Sequence, residues 1–169
     1  MSLPLNERIT NVDKLRSWKG QIPLHYEYTA GVAGERFLRG LQEGKILASR
    51  CSNCGKMYLP PKMYCVDCYL EISKYREVGP VATVAAIAQS HVDFGGRKIA
   101  RPRTFAFLTF KGVTGGLIHY VAGNGLGIGS SVSPRFRPAR KRMGTLLDIE
   151  EFVATRIRGS PGSTTSSSA

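Results

Sequence analysis

CSNCGKMYLPPKMYCVDC, residues 51–68, contains all four cysteines of the 169-residue chain, as two CxxC pairs separated by ten residues. Each CxxC can close a tight turn that directs two sulfurs at one point, and two such turns facing each other form a tetrahedral four-sulfur cage. Gly55, directly after Cys54, lets backbone amides come close to the sulfurs. Pro60 and Pro61 stiffen the arm YLPPKMY between the pairs and prevent it from pairing as a central strand. Zinc is the expected occupant, as a structural ion; iron held by the same four thiolates is the rival. A redox dithiol would need one pair and leave the other unexplained. Four cysteines leave no open coordination position, so the metal is expected to hold the chain in shape rather than to catalyse. A module of about 25 residues has too small a core to fold alone, and metal binding supplies the missing stability, on the order of 10 kcal/mol.

On the N-terminal side, Leu24, Tyr26 and Tyr28 alternate with His25 and Glu27, which predicts a short extended segment. Ala33, Phe37, Leu38 and Leu41 then recur at helical spacing, and Gly44 is a natural stop, so a helix is predicted over 33–43. On the C-terminal side, GPVATVAAIAQSHV, RTFAFLTF, GGLIHYVAG, SSVSPRFRP and GTLLDIEEF are short apolar runs separated by glycine-rich or charged turns. Five strands at this spacing predict a small closed barrel. The final GSPGSTTSSSA is low in complexity and expected to be disordered. The chain therefore reads as mainly β: a leader and helical segment (1–45), a zinc ribbon (46–76), a barrel (77–156) and a tail (157–169).

Hydrophobic content of 42% and charged content of 21% are those of a globular protein. No apolar run approaches the ~20 residues of a membrane span. The N-terminal residues carry charges where a signal peptide has its apolar core, so a cytoplasmic location is expected, where thiols stay reduced. The net charge of +12 is spread along the chain, +5 over residues 1–76 and +7 over 77–169. Such a field attracts polyanions: nucleic acid, acidic protein surfaces or phosphorylated cofactors.

Catalytic candidates are few. Asp148 and Glu150 flank Ile149 and read as the outer face of a last strand, His119 lies within the apolar run LIHYV, and no serine has a nucleophile-elbow context. The glycines at 123, 125, 127 and 129 fall at every second position, not in a dinucleotide-binding pattern, and read as a turn. No catalytic constellation emerges, and the chain is not expected to be an enzyme. Two basic clusters are better candidates for a phosphate-binding role: Arg97, Lys98, Arg101 and Arg103, and Arg135, Arg137, Arg140 and Lys141. Strand alternation would set the guanidinium groups of Arg135 and Arg137 side by side, suited to bidentate phosphate contact. A solvated basic edge that discourages strand pairing is the plainer alternative.

The order of AGERFLRGLQEGKILASRCSNCGKMYLPPKMYCVDCY, GPVATV, GVTGGLIHYVAG and RMGTLLDIEEF resembles a family of acyl-CoA-associated proteins. These carry an N-terminal rubredoxin-like zinc ribbon and an oligonucleotide/oligosaccharide-binding (OB) barrel. The resemblance covers roughly residues 30–153 and is most specific over RC-x-x-CGK-x-Y-x-PPK-x-YC-x-x-C. It implies a non-catalytic accessory subunit that binds acyl-CoA and docks a thiolase-like or hydroxymethylglutaryl-CoA synthase-like enzyme. Carried over by position, it makes Cys51, Cys54, Cys65 and Cys68 the metal ligands, and the Gly115-Gly116 turn structural. Trp18 and Phe37 are expected to dock the partner, and the basic clusters to meet the phosphates of CoA. A different class of function, a single-stranded nucleic-acid-binding module, also fits a zinc ribbon, a barrel and a charge of +12. Phe105 and Phe107 share one strand face there and Phe110 takes the other.

Overall fold

The computed structural model describes residues 25, 27–93 and 96–155. Leu24 and Tyr26 of the alternating segment, Trp18 and the tail 157–169 lie outside the described residues.

The helix, α1, spans Gly31–Glu43. Ala33, Phe37, Gly40 and Leu41 form its buried face, while Glu35 and Arg39 pair across one turn of the exposed face at 2.6 Å. It begins two residues before its apolar spacing does, because Gly31 and Val32 are exposed and leave no periodic signal. It ends at the glycine expected to stop it. Gly44 turns left-handed with φ +83°, its N–H bonds Leu41 O at 2.9 Å, and the Lys45 N–H bonds Gly40 O at 2.8 Å.

Strands β1 (Leu47–Arg50), β2 (Met57–Leu59) and β3 (Lys74–Glu77) form the ribbon, with β1 antiparallel to both neighbours. The barrel consists of β4 (Ala82–Val92), β5 (Lys98–Phe110), β7 (Leu117–Ala122), β8 (Ser131–Phe136) and β9 (Ile149–Ala154). It closes in the order β4-β5-β7-β9-β8, with β7 and β9 parallel and the other pairs antiparallel. This is the five-stranded Greek-key barrel of the OB fold. β5 starts earlier than RTFAFLTF indicates and includes KIARPR, so Lys98, Arg101 and Arg103 of the first basic cluster lie on a hairpin strand, with Arg97 just before it. Pro102 is accommodated there because the ladder is irregular between Ser90 and Val92 on the facing strand.

Ribbon and barrel are joined in two ways. Phe37 and Leu41 of the helix and Ile46, Ala48 and Leu59 of the ribbon belong to one apolar cluster with Val84, Leu108 and Phe152 of the barrel. In addition the two-residue strand β6 (Thr114–Gly115), which precedes β7, pairs parallel with β2 of the ribbon. Backbone meets backbone at this point. The Gly116 N–H bonds Leu59 O at 2.8 Å. A Cβ on Gly115 would overlap Leu59 O, and one on Gly116 would overlap Leu108 O. Gly115 also has φ +91°, which a side chain would strain.

The expectation that Asp148 lies on an outer strand face is corrected. A 3-10 turn, Leu146–Asp148, precedes β9, and Asp148 is fully buried at its end. Its carboxylate accepts the backbone N–H groups of Met143, Gly144 and Thr145 at 2.7–3.1 Å, which fixes the whole loop before the last strand. Glu150, one residue beyond Ile149, is exposed as expected.

Gly115→Ala is expected to destabilise the protein by about 2 kcal/mol or more, through overlap and backbone strain together. Gly79→Ala, where a Cβ meets nothing within 4 Å, should be close to neutral; denaturant melts of both variants check the contrast. Burial opposes ionisation of Asp148, but the N–H groups of Met143, Thr145 and Gly144 outweigh it and hold its pKa below the ordinary carboxylate value. A depressed folded-state pKa gives stability that is present above the unfolded value of about 4 and is lost as pH falls through the folded value. Asp148→Asn should therefore cost roughly 2–3 kcal/mol at pH 7, and its deficit against the wild type should shrink steadily below pH ~4.

Candidate metal centre

The two cysteine turns repeat one backbone design. In the first, the Cys51 N–H bonds Lys56 O at 2.9 Å and the Gly55 N–H bonds Cys51 O at 3.1 Å. In the second, the Cys65 N–H bonds Leu70 O at 2.9 Å and the Tyr69 N–H bonds Cys65 O at 2.9 Å. The residue after the second cysteine of each pair is left-handed, Gly55 at φ +74° and Tyr69 at φ +57°. Glycine takes this conformation freely, whereas Tyr69 is held there by the turn around it.

These turns bring the four sulfurs within 4.8 Å of one another, and Cys54 Sγ lies 3.6 Å from Cys65 Sγ. A zinc–sulfur bond of about 2.3 Å implies tetrahedral sulfur–sulfur edges of about 3.8 Å, so this donor set fits a tetrahedral thiophilic ion. Cys51 and Cys65 are buried, Cys68 is half-buried and Cys54 is exposed, which places the site under one face of the ribbon. All four predicted ligands converge, and no fifth group of ligating type joins them among the described residues.

A layer of polar groups around the sulfurs was not evident from cysteine spacing. Asn53 Nδ2 donates to Cys68 Sγ at 3.3 Å. The buried Tyr58 hydroxyl stands 3.2 Å from Cys65 Sγ and 2.8 Å from Asp67 Oδ2, and Lys56 Nζ bonds the other Asp67 oxygen at 2.8 Å. The hydroxyl of Tyr58, with burial opposing it, holds the Cys65 thiol below its usual pKa, aided by the backbone N–H groups of Asp67 and Cys68. Lys56 and then Tyr58 hold the Asp67 carboxyl low. Tyr58 itself is pushed up, first by its bond to Cys65, so its proton stays in place. Alternation leaves no trace of this layer either, since the neighbours Tyr58 and Leu59 are both buried in β2.

The other predicted site residues are scattered. Phe37 is 6% exposed and packs in the shared core, so it cannot dock a partner in this fold. Arg97 bonds Asp93, which also accepts the Arg97 N–H at 2.9 Å. Lys98 and Arg101 are exposed on β5, and the Arg103 guanidinium stacks 3.6 Å from the Tyr120 ring centroid. Arg135 is engaged by Glu150 and Glu151. The register shifts between Arg135 and Phe136, where β8 ends, so simple alternation does not carry to Arg137. Arg140 and Lys141 are exposed in a 3-10 turn, Ala139–Lys141. His119 is buried, and its Nε2–H donates to Leu146 O at 3.1 Å while Nδ1 has no partner. The structure brings no acid, base and nucleophile together among the described residues.

A four-thiolate ribbon joined to an OB barrel defines the class of protein. Residues 39–70 match the family described as ChsH2, rubredoxin-like zinc ribbon domain. A crystal structure of a DUF35-family protein of unknown function from Sulfolobus solfataricus is 31% identical, with 77% of this chain and 90% of that chain covered and a TM-score of 0.61. The chain belongs to the DUF35 family. The structure described as the Ltp2-ChsH2(DUF35) aldolase shares the fold, at 17% identity, 64% and 86% coverage of this and that chain, and a TM-score of 0.53. No curated protein matches the chain.

Cys51→Ala or Cys65→Ala should lower bound zinc well below one equivalent, and full occupancy in either variant would refute the four-ligand assignment. Tyr58→Phe removes one outer-shell bond and should weaken zinc binding by about tenfold, measured by competition with a chromophoric chelator.

Proposed function

We propose that this protein is a non-catalytic accessory subunit, with a structural zinc, that docks a thiolase-like enzyme and contributes to binding the phosphorylated end of an acyl-CoA. The observation that carries the reading is how its reactive side chains are placed. The four thiols face one another in a closed site, Asp148 is saturated by backbone donors, and His119 is bonded to a backbone carbonyl. None of these groups is offered to a substrate, which leaves chemistry to a partner. Family membership supports the same reading, since a DUF35 chain of the same fold is part of the structure described as the Ltp2-ChsH2(DUF35) aldolase. No helix among the described residues is long and apolar enough to cross a membrane, and we place the protein in the cytoplasm.

The charge distribution supports phosphate binding by a limited set of residues. Lys98, Arg101, Arg140 and Lys141 carry no ion pair among the described residues, whereas Arg97 and Arg135 are neutralised by carboxylates. CoA carries several phosphate charges, and a few unpaired cations suffice for charge-assisted contact. The first-cluster pair Lys98 and Arg101 and the second-cluster pair Arg140 and Lys141 are therefore the residues to which we assign this role.

Mild affinity purification from nuclease-treated native extract tests the reading. A stoichiometric thiolase-like enzyme is expected in the eluate, and the recovered complex should melt at a higher temperature with millimolar CoA. Protected nucleic acid with no such enzyme would contradict it and favour a nucleic-acid-binding module.

A further inference from the structure

The outer face of β5 and β7 carries apolar side chains that neither the metal centre nor the phosphate assignment uses. Alternation along β5 buries Ala106, Leu108 and Phe110 and leaves Phe105 and Phe107 on the outside. The register sets Phe105 opposite Tyr120 and Phe107 opposite Ile118, so large apolar side chains run in two rows across both strands. On the neighbouring strand β4, the residues opposite Phe107 and Phe105 are only Ala86 and Ala88. The small residues leave a trough beside the rings. Leu146 and Leu147 border the other side. Three concavities adjoin on this face: Phe105 lines all of them, and Ile118 lines two.

Ile118 is 68% exposed, Leu147 56%, Leu146 46% and Phe107 36%. Single exposed apolar side chains are ordinary, but a contiguous set marks an interaction site. The two leucines are held outward by a built support. Leu146 O accepts the His119 Nε2–H, and the Asp148 carboxylate ties down the three residues before the turn. Both supporting side chains are buried. The leucines therefore stand on a fixed turn and not on a slack loop.

The charge around this face selects the occupant. Lys98, Arg101 and Arg103 stand on the hairpin that borders it, and Asp93, the carboxylate on that hairpin, is already bonded to Arg97. A second copy of a chain with net charge +12 would bring like charge against like charge across a two-fold contact. An oligonucleotide needs open ring faces for its bases, yet Phe105 is half-buried and Phe107 is less exposed than the aliphatic Ile118, Leu146 and Leu147, and Arg103 already covers one face of Tyr120. We propose that the outer β5–β7 face, with Leu146 and Leu147, docks a protein that presents an apolar centre flanked by carboxylates on the hairpin side. Resting on the reading above, that protein is the thiolase-like enzyme.

The test uses the full chain and the thiolase-like enzyme recovered with the wild type, purified and identified. Ile118→Glu combined with Leu147→Glu alters two exposed positions and should leave zinc content and melting temperature unchanged while weakening binding about 100-fold. With CoA absent, so that the phosphate role of these residues does not enter, Lys98→Glu combined with Arg101→Glu should slow association about tenfold and flatten its salt dependence. If the glutamate pair fails to fold, Ile118→Ser with Leu147→Ser is the milder substitute, expected to weaken binding about tenfold. Binding within twofold of wild type by a folded pair variant overturns the docking face and leaves the accessory-subunit reading intact. A wild-type chain that recovers no thiolase-like enzyme overturns that reading and, with it, this partner. A wild-type dimer that becomes monomeric in the pair variant, or bound nucleic acid lost in it, overturns the proposed occupant.

Discussion

Four thiols within 4.8 Å of one another cannot all ionise without a cation between them, because thiolates at that distance repel. The metal resolves that conflict, and the rest of the architecture follows from it. Each pair of sulfurs fixes a turn, and the first turn sets the pairing of Arg50 with Met57 between β1 and β2. β2 in turn offers its outer edge to Thr114 and Gly115. Through that edge a metal-held turn is connected to the strand that leads into the barrel wall. The apolar cluster is continuous across the same boundary, from Leu41 and Leu59 to Leu108 and Phe152. Ribbon and barrel therefore differ in sequence character but are not separate in packing.

The polar groups with unusual environments all work on shape. Tyr58 and Asp67 order the sulfurs, His119 holds the turn at Leu146, and Asp148 closes the loop before the last strand. Burial of such groups is tolerated because nearly every one is matched to a donor or acceptor. The surface has the opposite character. Among the described residues, Lys98 and Arg101 after the β4–β5 turn and Arg140 and Lys141 in the turn at 139–141 carry no ion pair, and exposed apolar side chains stand on the outer side of the barrel strands.

Sequence reading reached the parts governed by local chemistry. Ligand spacing alone identifies Cys51, Cys54, Cys65 and Cys68, and Gly44 marks the helix end, because both depend on a few neighbouring residues. Alternation likewise put Phe105 and Phe107 on one strand face and Phe110 on the other, but which face is core is settled only by the fold, which buries Phe110. It failed where a local pattern meets a non-local demand. Asp148 reads as one more strand residue, yet the chain needs an acceptor for the amides of residues 143–145 and turns it inward. Phe37 lies on the apolar stripe of its helix, and spacing does not tell whether a partner or the chain's own core covers it; the core does. The pairing of β2 with β6, and of β7 with β9, joins segments far apart in the chain and leaves no periodic trace. Arg135 and Arg137 look equivalent on paper, but a register shift and two carboxylates separate their fates.

Hydrogen exchange on the zinc-loaded and chelator-stripped protein tests the dependence of the whole fold on the metal. Removal of zinc should raise exchange in β1 and β2 and also beyond the ribbon, at Gly116, whose N–H bonds Leu59 O, and along α1, which shares the core. A rise confined to residues 51–70, with α1 and Gly116 as protected as before, would contradict the account and make the metal centre a local ornament on an independent barrel.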